Sequence, residues 1–425
     1  MDRLEQTMRN SIEGLKSKFR GDTVYPFEGQ DAMMWTDKSL RHTNLAYSYV
    51  RISDETPIRG DALYQDIRLR VKRYIEKNGS KGVCRARWYE PYDRLYTYTD
   101  ESVDAIVDQL VIRGTDTLDG TALGKLITDV PMRWVIYENS YHAIINHQFV
   151  DGCKYAELLS VPMDNPIFDW KIIPEFTYIP GITELVGVGP GIEQILKTLP
   201  RIKRNLSVDS DWKVCVAHQH HVSLTHISTI KWIKRYITDK YGKIPYSLVL
   251  ACVSSWNLLR CTDKKQLTVG IAGAFRDTRA TPRFNNFSAI LLPVKRPDGF
   301  DEMDMVHQFH NVVEQFVEYL PGMKSQMVAM YLATNVYDLK YYANDMIDML
   351  VSCAPTNLLA KYNGIACNLE RTVMVGTTMP IYHGWWNSGD KIVNSHLIRS
   401  NEIDTSKNVE IDTLMCALKH VDCIY

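Results

Sequence analysis

Tyr141-His142-Ala143-Ile144-Ile145-Asn146-His147-Gln148-Phe149-Val150-Asp151-Gly152 carries the transition on which the reading of this chain turns. Tyr141–Asn146 is short and mostly apolar, as expected of a strand. Asp151-Gly152 supplies a turn, and Cys153–Leu159 can begin a helix. His147 thus falls at a strand-to-helix turn. Imidazole titrates near ~6.5 and accepts a proton at neutral pH, which makes His147 the candidate general base. Asp151, four residues on and across a turn closed by Gly152, can fold back to fix the loop, so both receive structural roles.

Outward from this segment, Met132–Tyr137 and Val83–Tyr89 read as strands. Pro57–Asn78 reads as a helix with Leu63, Ile67, Val71 and Ile75 on one face, ended by Asn78-Gly79. Six prolines and Gly187-Val188-Gly189-Pro190-Gly191 fall between Pro162 and Pro200, which suits a crossover between domains. No Lys-Ser/Thr follows those glycines and Pro190 removes a backbone donor, so a phosphate cradle is not indicated. Beyond it, Lys213–Leu224 alternates like a strand. Ile227–Tyr241 reads as a helix ended by Gly242, and Tyr246–Leu259 as a buried helix. Gln266–Ala274 and Phe287–Val294 read as strands, and Met303–Tyr319 as a helix with Met305, Phe309, Val312, Val313 and Phe316 inward. Both halves mix helices with strands, so an α/β (α+β layered) chain is expected. Its domains are residues 1–160, a linker 161–205, and residues 206–425.

The 425 residues suffice for two or three domains. Lys plus Arg (49) balance Asp plus Glu (50), which leaves no positive excess for a nucleic-acid backbone. Nine cysteines without a CxxC pair fit reduced thiols. The N-terminus has charges where a signal peptide carries its apolar core, and no run reaches ~18 uninterrupted apolar residues, so a cytoplasmic protein is expected. In residues 3–20, Leu4, Met8, Ile12, Leu15 and Phe19 form one apolar helical stripe, compatible with docking on the body of the protein or with peripheral membrane contact.

Other clusters point less clearly to chemistry. His218-Gln219-His220-His221, with His226 nearby, places two histidines on one strand face but lacks a third ligand at familiar spacing. It reads as a partly exposed strand, and no metal is expected. His307 and His310 lie on the polar edge of an amphipathic helix, and the Met- and Tyr-rich stretch Met323–Met349 reads as core packing. Cys153 has no basic partner in the sequence and no Gly-x-Ser-x-Gly elbow occurs, so covalent catalysis is not indicated.

Asn146-His147-Gln148-Phe149-Val150-Asp151-Gly152 resembles the His-His-x-x-x-Asp-Gly signature of the acyl-CoA-dependent acyltransferase superfamily. Within it the chain looks most like the wax ester synthase/diacylglycerol acyltransferase type. Asp31-Ala32-Met33-Met34-Trp35, Pro131-Met132-Arg133-Trp134, Pro245-Tyr246-Ser247-Leu248-Val249-Leu250-Ala251 and Phe284-Asn285-Asn286-Phe287-Ser288 follow in the family's order. The resemblance implies two chloramphenicol-acetyltransferase-like domains with a channel between them. It implies acyl-CoA as co-substrate, no permanently bound cofactor, and a hydroxyl-bearing small molecule or lipid as acceptor in preference to an amine. It places the base on His147 and pairs Asp151 with an arginine, best matched by Arg276, with Arg279 in reserve. The tetrahedral intermediate also needs an oxyanion donor, for which Asn286 and Ser288 are the candidates; a polar strand entry explains them equally well.

Asn146 stands where the family has its first histidine, and Tyr246-Ser247 where it has Asn-Asp. Tyr382-His383-Gly384-Trp385-Trp386 looks like the Asp-Phe-Gly-Trp-Gly of plant-type members. The alternative expectation is therefore a non-catalytic binding or structural protein that retains the fold.

Overall fold

The computed structural model describes residues 12, 24–26, 45–89, 95–115, 130–147, 149–150, 152–164, 193, 196, 201–207, 219–274, 287–323, 326–327, 346–357, 361–375 and 379–422. The chain divides into two compact units. The first comprises Met1–Thr177, Arg276–Asn286 and Thr356–Gly376; the second comprises Tyr178–Phe275, Phe287–Pro355 and Thr377–Tyr425. The chain therefore leaves the second unit after Pro355 and rejoins it at Thr377, lending the intervening segment to the first.

In the first unit, strands β2 (Leu45–Arg51), β5 (Val111–Arg113), β6 (Met132–Ile136), β7 (Ser140–Asn146) and β14 (Asn368–Val375) form one sheet in the order β14-β2-β7-β6-β5. The apolar run read as a strand is β7, and every one of its residues is buried. It pairs antiparallel with β2, Leu45 opposite Asn146, and with β6, Met132 opposite Ile145. Strand β14 joins the far side of β2 with a register shift between Leu369 and Arg371, and β5 runs parallel to β6. Strands β1 (Val24–Pro26), β3 (Ala86–Trp88) and β4 (Leu95–Tyr98) form a smaller sheet in the order β1-β4-β3. The stretch predicted as a strand from Val83 begins instead with a tight helical turn, Val83–Arg85.

Helix α1 (Gly60–Asn78) buries Leu63, Ile67, Val71 and Ile75, the face predicted from their spacing, and stops at Gly79, whose φ of 68° suits glycine. It starts three residues after Pro57 because Arg59 is extended. Helix α2 (Val103–Leu110) is capped by Ser102, which accepts from the Ala105 amide. Helix α3 (Gly152–Ser160) follows the motif. A hairpin, β12 (Lys361–Tyr362) and β13 (Ile365–Ala366), turns through Asn363 and Gly364, both at positive φ, the Asn-Gly combination that tight hairpin turns favour.

The sheet of the second unit is built from β8 (Gln219–His226), β9 (Gln266–Ala274), β10 (Phe287–Lys295), β11 (Met349–Asn357), β15 (Ile381–Ser388) and β16 (Lys391–Ile398). Their order is β10-β9-β11-β15-β16-β8. Helices α4 (Ile227–Tyr241), α5 (Tyr246–Arg260), α6 (Met305–Tyr319) and α7 (Ile411–Asp422) share one apolar core with it. Helix α5 is buried at every position from Leu248 to Leu259, as expected of a largely apolar sequence, and Ser254, Ser255 and Asn257 are buried with it. Trp385 of β15 faces it and donates to Ser254 at 3.0 Å. At Gly384 a Cβ would lie 2.8 Å from the Trp386 indole nitrogen, so any larger residue there would force that indole to move. Asp348, fully buried just before β11, accepts from the Asn205, Leu206 and Thr268 amides at 2.7, 2.8 and 2.7 Å. One carboxylate thereby ties three chain segments together.

On α6, His310 is buried between the hydroxyls of Tyr236 and Tyr241, at 2.9 and 2.7 Å, rather than on a polar edge. His307 is exposed beside Asp304. Among the described strands β8 lies at the end of its sheet, and His226, its last residue, is exposed; His218 and the side chains of His220 and His221 lie outside what is described. Met323 and Met349, the ends of the methionine-rich stretch, are buried, while most of it and most of the linker 161–205 lie outside the described residues. Of residues 3–20 only Ile12 is described, 47% exposed. Among the described residues no helix is long and apolar enough to cross a membrane.

His142, on β7, is 3% exposed and packed against Tyr49 and Tyr137, with ring centroids at 4.8 and 5.5 Å. Burial, with a lesser contribution from nearby Arg371, pushes its pKa down to about 4. The unfolded chain binds this proton near ~6.5, so the stability contributed by neutral His142 is complete above that value and is lost as pH falls toward about 4. From pH 7 to 5 the loss from this group is about 2 kcal/mol. Urea midpoints at the two pH values should fall less in His142→Phe than in the parent; equal slopes would show that another group titrates.

Candidate active site

The position of His147 follows from the end of β7. The Asn146 amide bonds the Pro131 carbonyl at 2.8 Å, continuing the sheet to its last residue. The Phe149 amide then bonds the Asn146 carbonyl at 3.0 Å, which closes a turn at once. His147 sits in that turn, 8% exposed. Phe149 and Val150 are both fully buried. The Phe149 ring meets Trp88 edge-on at 5.1 Å and Tyr96 at 6.5 Å, so the small sheet supplies the pocket that holds the loop down.

Helix α3 closes the other side of the loop. The Tyr141 hydroxyl, on β7, donates to the Leu159 carbonyl at 2.9 Å, and the Tyr74 hydroxyl, on α1, donates to Glu157 at 2.7 Å. Glu157 is 7% exposed, and its other oxygen accepts from Lys154 at 2.6 Å, so its charge is balanced where it is buried. Strand, loop and helix are therefore joined by apolar anchors and satisfied polar groups, a rigid setting for a side chain that must be aimed.

Of the residues singled out in the sequence, the structure brings His147 and Gly152 to the two ends of one loop in the first unit. Ser288 is placed in β10 of the second unit, its backbone opposite Gly273. Asp151, Arg276, Arg279 and Asn286 lie outside the described residues. The anchoring aromatics Trp88 and Tyr96 were not legible as site residues, because each lies in a short strand far upstream of the motif in sequence. The one signal was Phe149 itself, an aromatic in a loop otherwise made of polar and small residues.

The fold resembles several solved structures over nearly the whole length of the chain. It matches TRI3 trichothecene 15-O-acetyltransferase from Fusarium sporotrichioides with a TM-score of 0.59 and 9% identity, covering 93% of this chain and 95% of that one. The starter condensation domain of rhizomide synthetase RzmA, solved in complex with C8-CoA, matches with a TM-score of 0.52 and 11% identity over 94% and 93% of the two chains. The first condensation domain of the calcium-dependent antibiotic synthetase, in complex with a substrate analogue, gives 0.56 and 11% over 89% and 91%. The fold is accordingly α/β and chloramphenicol-acetyltransferase-like. No protein-family model matches the chain, and no curated protein matches it in sequence.

Removing the loop's anchor tests the clamp. Phe149→Ala should cost about 3–5 kcal/mol through the lost burial and the cavity left behind, measured by chemical denaturation; a change under about 1 kcal/mol would show that Phe149 does not hold the loop.

Proposed function

We propose that the protein is a CoA-dependent acyltransferase in which His147 is the general base. The observation that carries this reading is the placement of His147: nearly enclosed, at the end of the buried central strand, on a loop clamped by Phe149. The reading is supported by the likeness in fold to an O-acetyltransferase and to a domain holding C8-CoA. On it, His147 takes the proton of an acceptor hydroxyl as the oxygen attacks the thioester carbonyl of acyl-CoA. The tetrahedral intermediate collapses, the carbon–sulfur bond breaks, and the thiolate of CoA regains the proton from the imidazolium. The products are an ester and free CoA, and no covalent enzyme intermediate or resident cofactor takes part.

The finer assignments follow the motif. Asp151 holds the loop by pairing with Arg276, and Gly152 permits the turn into α3. Asn286 or Ser288 donates to the oxyanion, a contribution worth ~2.7–4 kcal/mol where a donor is well aimed. An alcohol is favoured over an amine, and the wax ester synthase/diacylglycerol acyltransferase type over other branches. The exposure of Ile12 suits an apolar stripe in residues 3–20 that touches a membrane surface from the cytoplasmic side.

Calorimetry with acetyl-, octanoyl- and palmitoyl-CoA and with free CoA, followed by thiol release in the presence of a long-chain alcohol, tests the proposal. His147→Ala should leave acyl-CoA affinity intact and lower turnover by roughly 10²–10⁴-fold. Turnover unchanged in this variant would remove His147 from the chemistry. Binding of none of the four compounds would favour a non-catalytic protein that keeps the fold.

A further inference from the structure

Two separate clusters join the motif helix to the segment that crosses over from the second unit. The first is a chain of hydroxyls. Tyr155 of α3 donates to Ser48 of β2, and Ser48 shares a 2.6 Å hydrogen bond with Thr372 of β14. All three residues are completely buried. Thr372, Ser48 and Ala143 lie opposite one another across β14, β2 and β7, and the Tyr155 hydroxyl also lies 3.4 Å from the Ala143 carbonyl. The second cluster lies just beyond the C-terminal end of α3. The carboxylate of Asp164 accepts from Arg70 and from the Gly364 amide, both at 2.7 Å, and the Asp164 amide bonds the Lys361 carbonyl at 2.8 Å. Arg70 also reaches Asn363 at 2.9 Å and lies over the Tyr362 ring.

Residues 152–164 are thus tied near both ends to residues 361–375. Packing alone does not call for this. Replacing both partners of a buried hydrogen bond with apolar groups of the same shape is close to neutral in stability, so alanine, valine and phenylalanine would fill the Ser48, Thr372 and Tyr155 positions about as well. What the hydroxyls add is geometry. The hydrogen-bond chain fixes distance and angle between Thr372, Ser48 and Tyr155 more narrowly than apolar contacts of the same volume would, because hydrogen bonds are directional. The loop bearing His147 hangs between β7 and α3, so whatever fixes α3 against the sheet also fixes His147.

We propose that the crossing segment positions His147, with Thr372, through Ser48 and Tyr155, as its positioning residue. The proposal rests on the reading of His147 as a functional imidazole. It makes the strand lent by the second unit part of the machinery of the motif loop, and it gives the crossing a purpose beyond chain connectivity.

The test compares Thr372→Val, Tyr155→Phe and Thr372→Ser in the full chain, by nitrogen-15 NMR of the histidine rings across a pH titration and by melting temperature. His147 resonances are assigned with His147→Gln. Thr372→Val and Tyr155→Phe should move the His147 chemical shifts and its titration midpoint, while Thr372→Ser, which keeps the hydroxyl, should match the parent. A lower melting temperature with an unchanged His147 titration in both hydroxyl-deleting variants would overturn the proposal. So would a serine variant as perturbed as the valine one. If the valine variant does not fold, Tyr155→Phe against Thr372→Ser draws the same distinction. The measurement needs no acyl donor, so its outcome is separate from that of the turnover assay on His147→Ala.

Discussion

A strand buried on both faces must find partners for its backbone groups on two sides, since water is not available to supply them. Strand β7 meets this through β2 and β6, and the ladder with β2 runs from Ser140 to Asn146 without a break. The constraint fixes where the strand stops. Past Asn146 the backbone bonds back on itself through Phe149, and His147 stands at the first position released from the sheet. Everything proposed for this residue depends on that termination.

The second unit solves a different problem. Its helices are joined to one sheet by a shared apolar core, and three of the polar groups caught inside are satisfied locally: Asp348 by three backbone amides, Trp385 by Ser254, and His310 by two tyrosines. Burial raises the pKa of the Asp348 carboxyl even as these amides stabilise its charge. Such groups are costly to leave unpaired, so they make the unit specific in its packing. In the first unit the same rule applies to Glu157, whose charge is met by Tyr74 and Lys154, the latter within the helix that carries the motif forward.

The candidate site was partly legible because its central piece is contiguous. A strand, a histidine, a turn-forming Asp-Gly and a helix follow one another without interruption from Ser140 to Ser160, and each has a local signature. The support was not legible in the same way. Nothing near residue 88 or 96 marks those aromatics as the pocket for Phe149, and Thr372 is one threonine among many. The location of His142 in the strand could be read, but its neutral state could not, because that depends on Tyr47, Tyr49 and Tyr137 being brought around it.

Elements whose information is periodic or terminal were already specified in the linear chain. Helix α1 keeps the face Leu63, Ile67, Val71 and Ile75, α4 ends at Gly242, and β9 spans Gln266–Ala274, because side-chain spacing and chain-end residues act within a few positions. That Asn368–Val375 completes the first unit's sheet, and that Ser48, Thr372 and Tyr155 share one line of hydrogen bonds, was settled by the folded arrangement alone. Strand pairing is chosen by burial and register between segments more than three hundred residues apart, and no local period records which edge a strand will join.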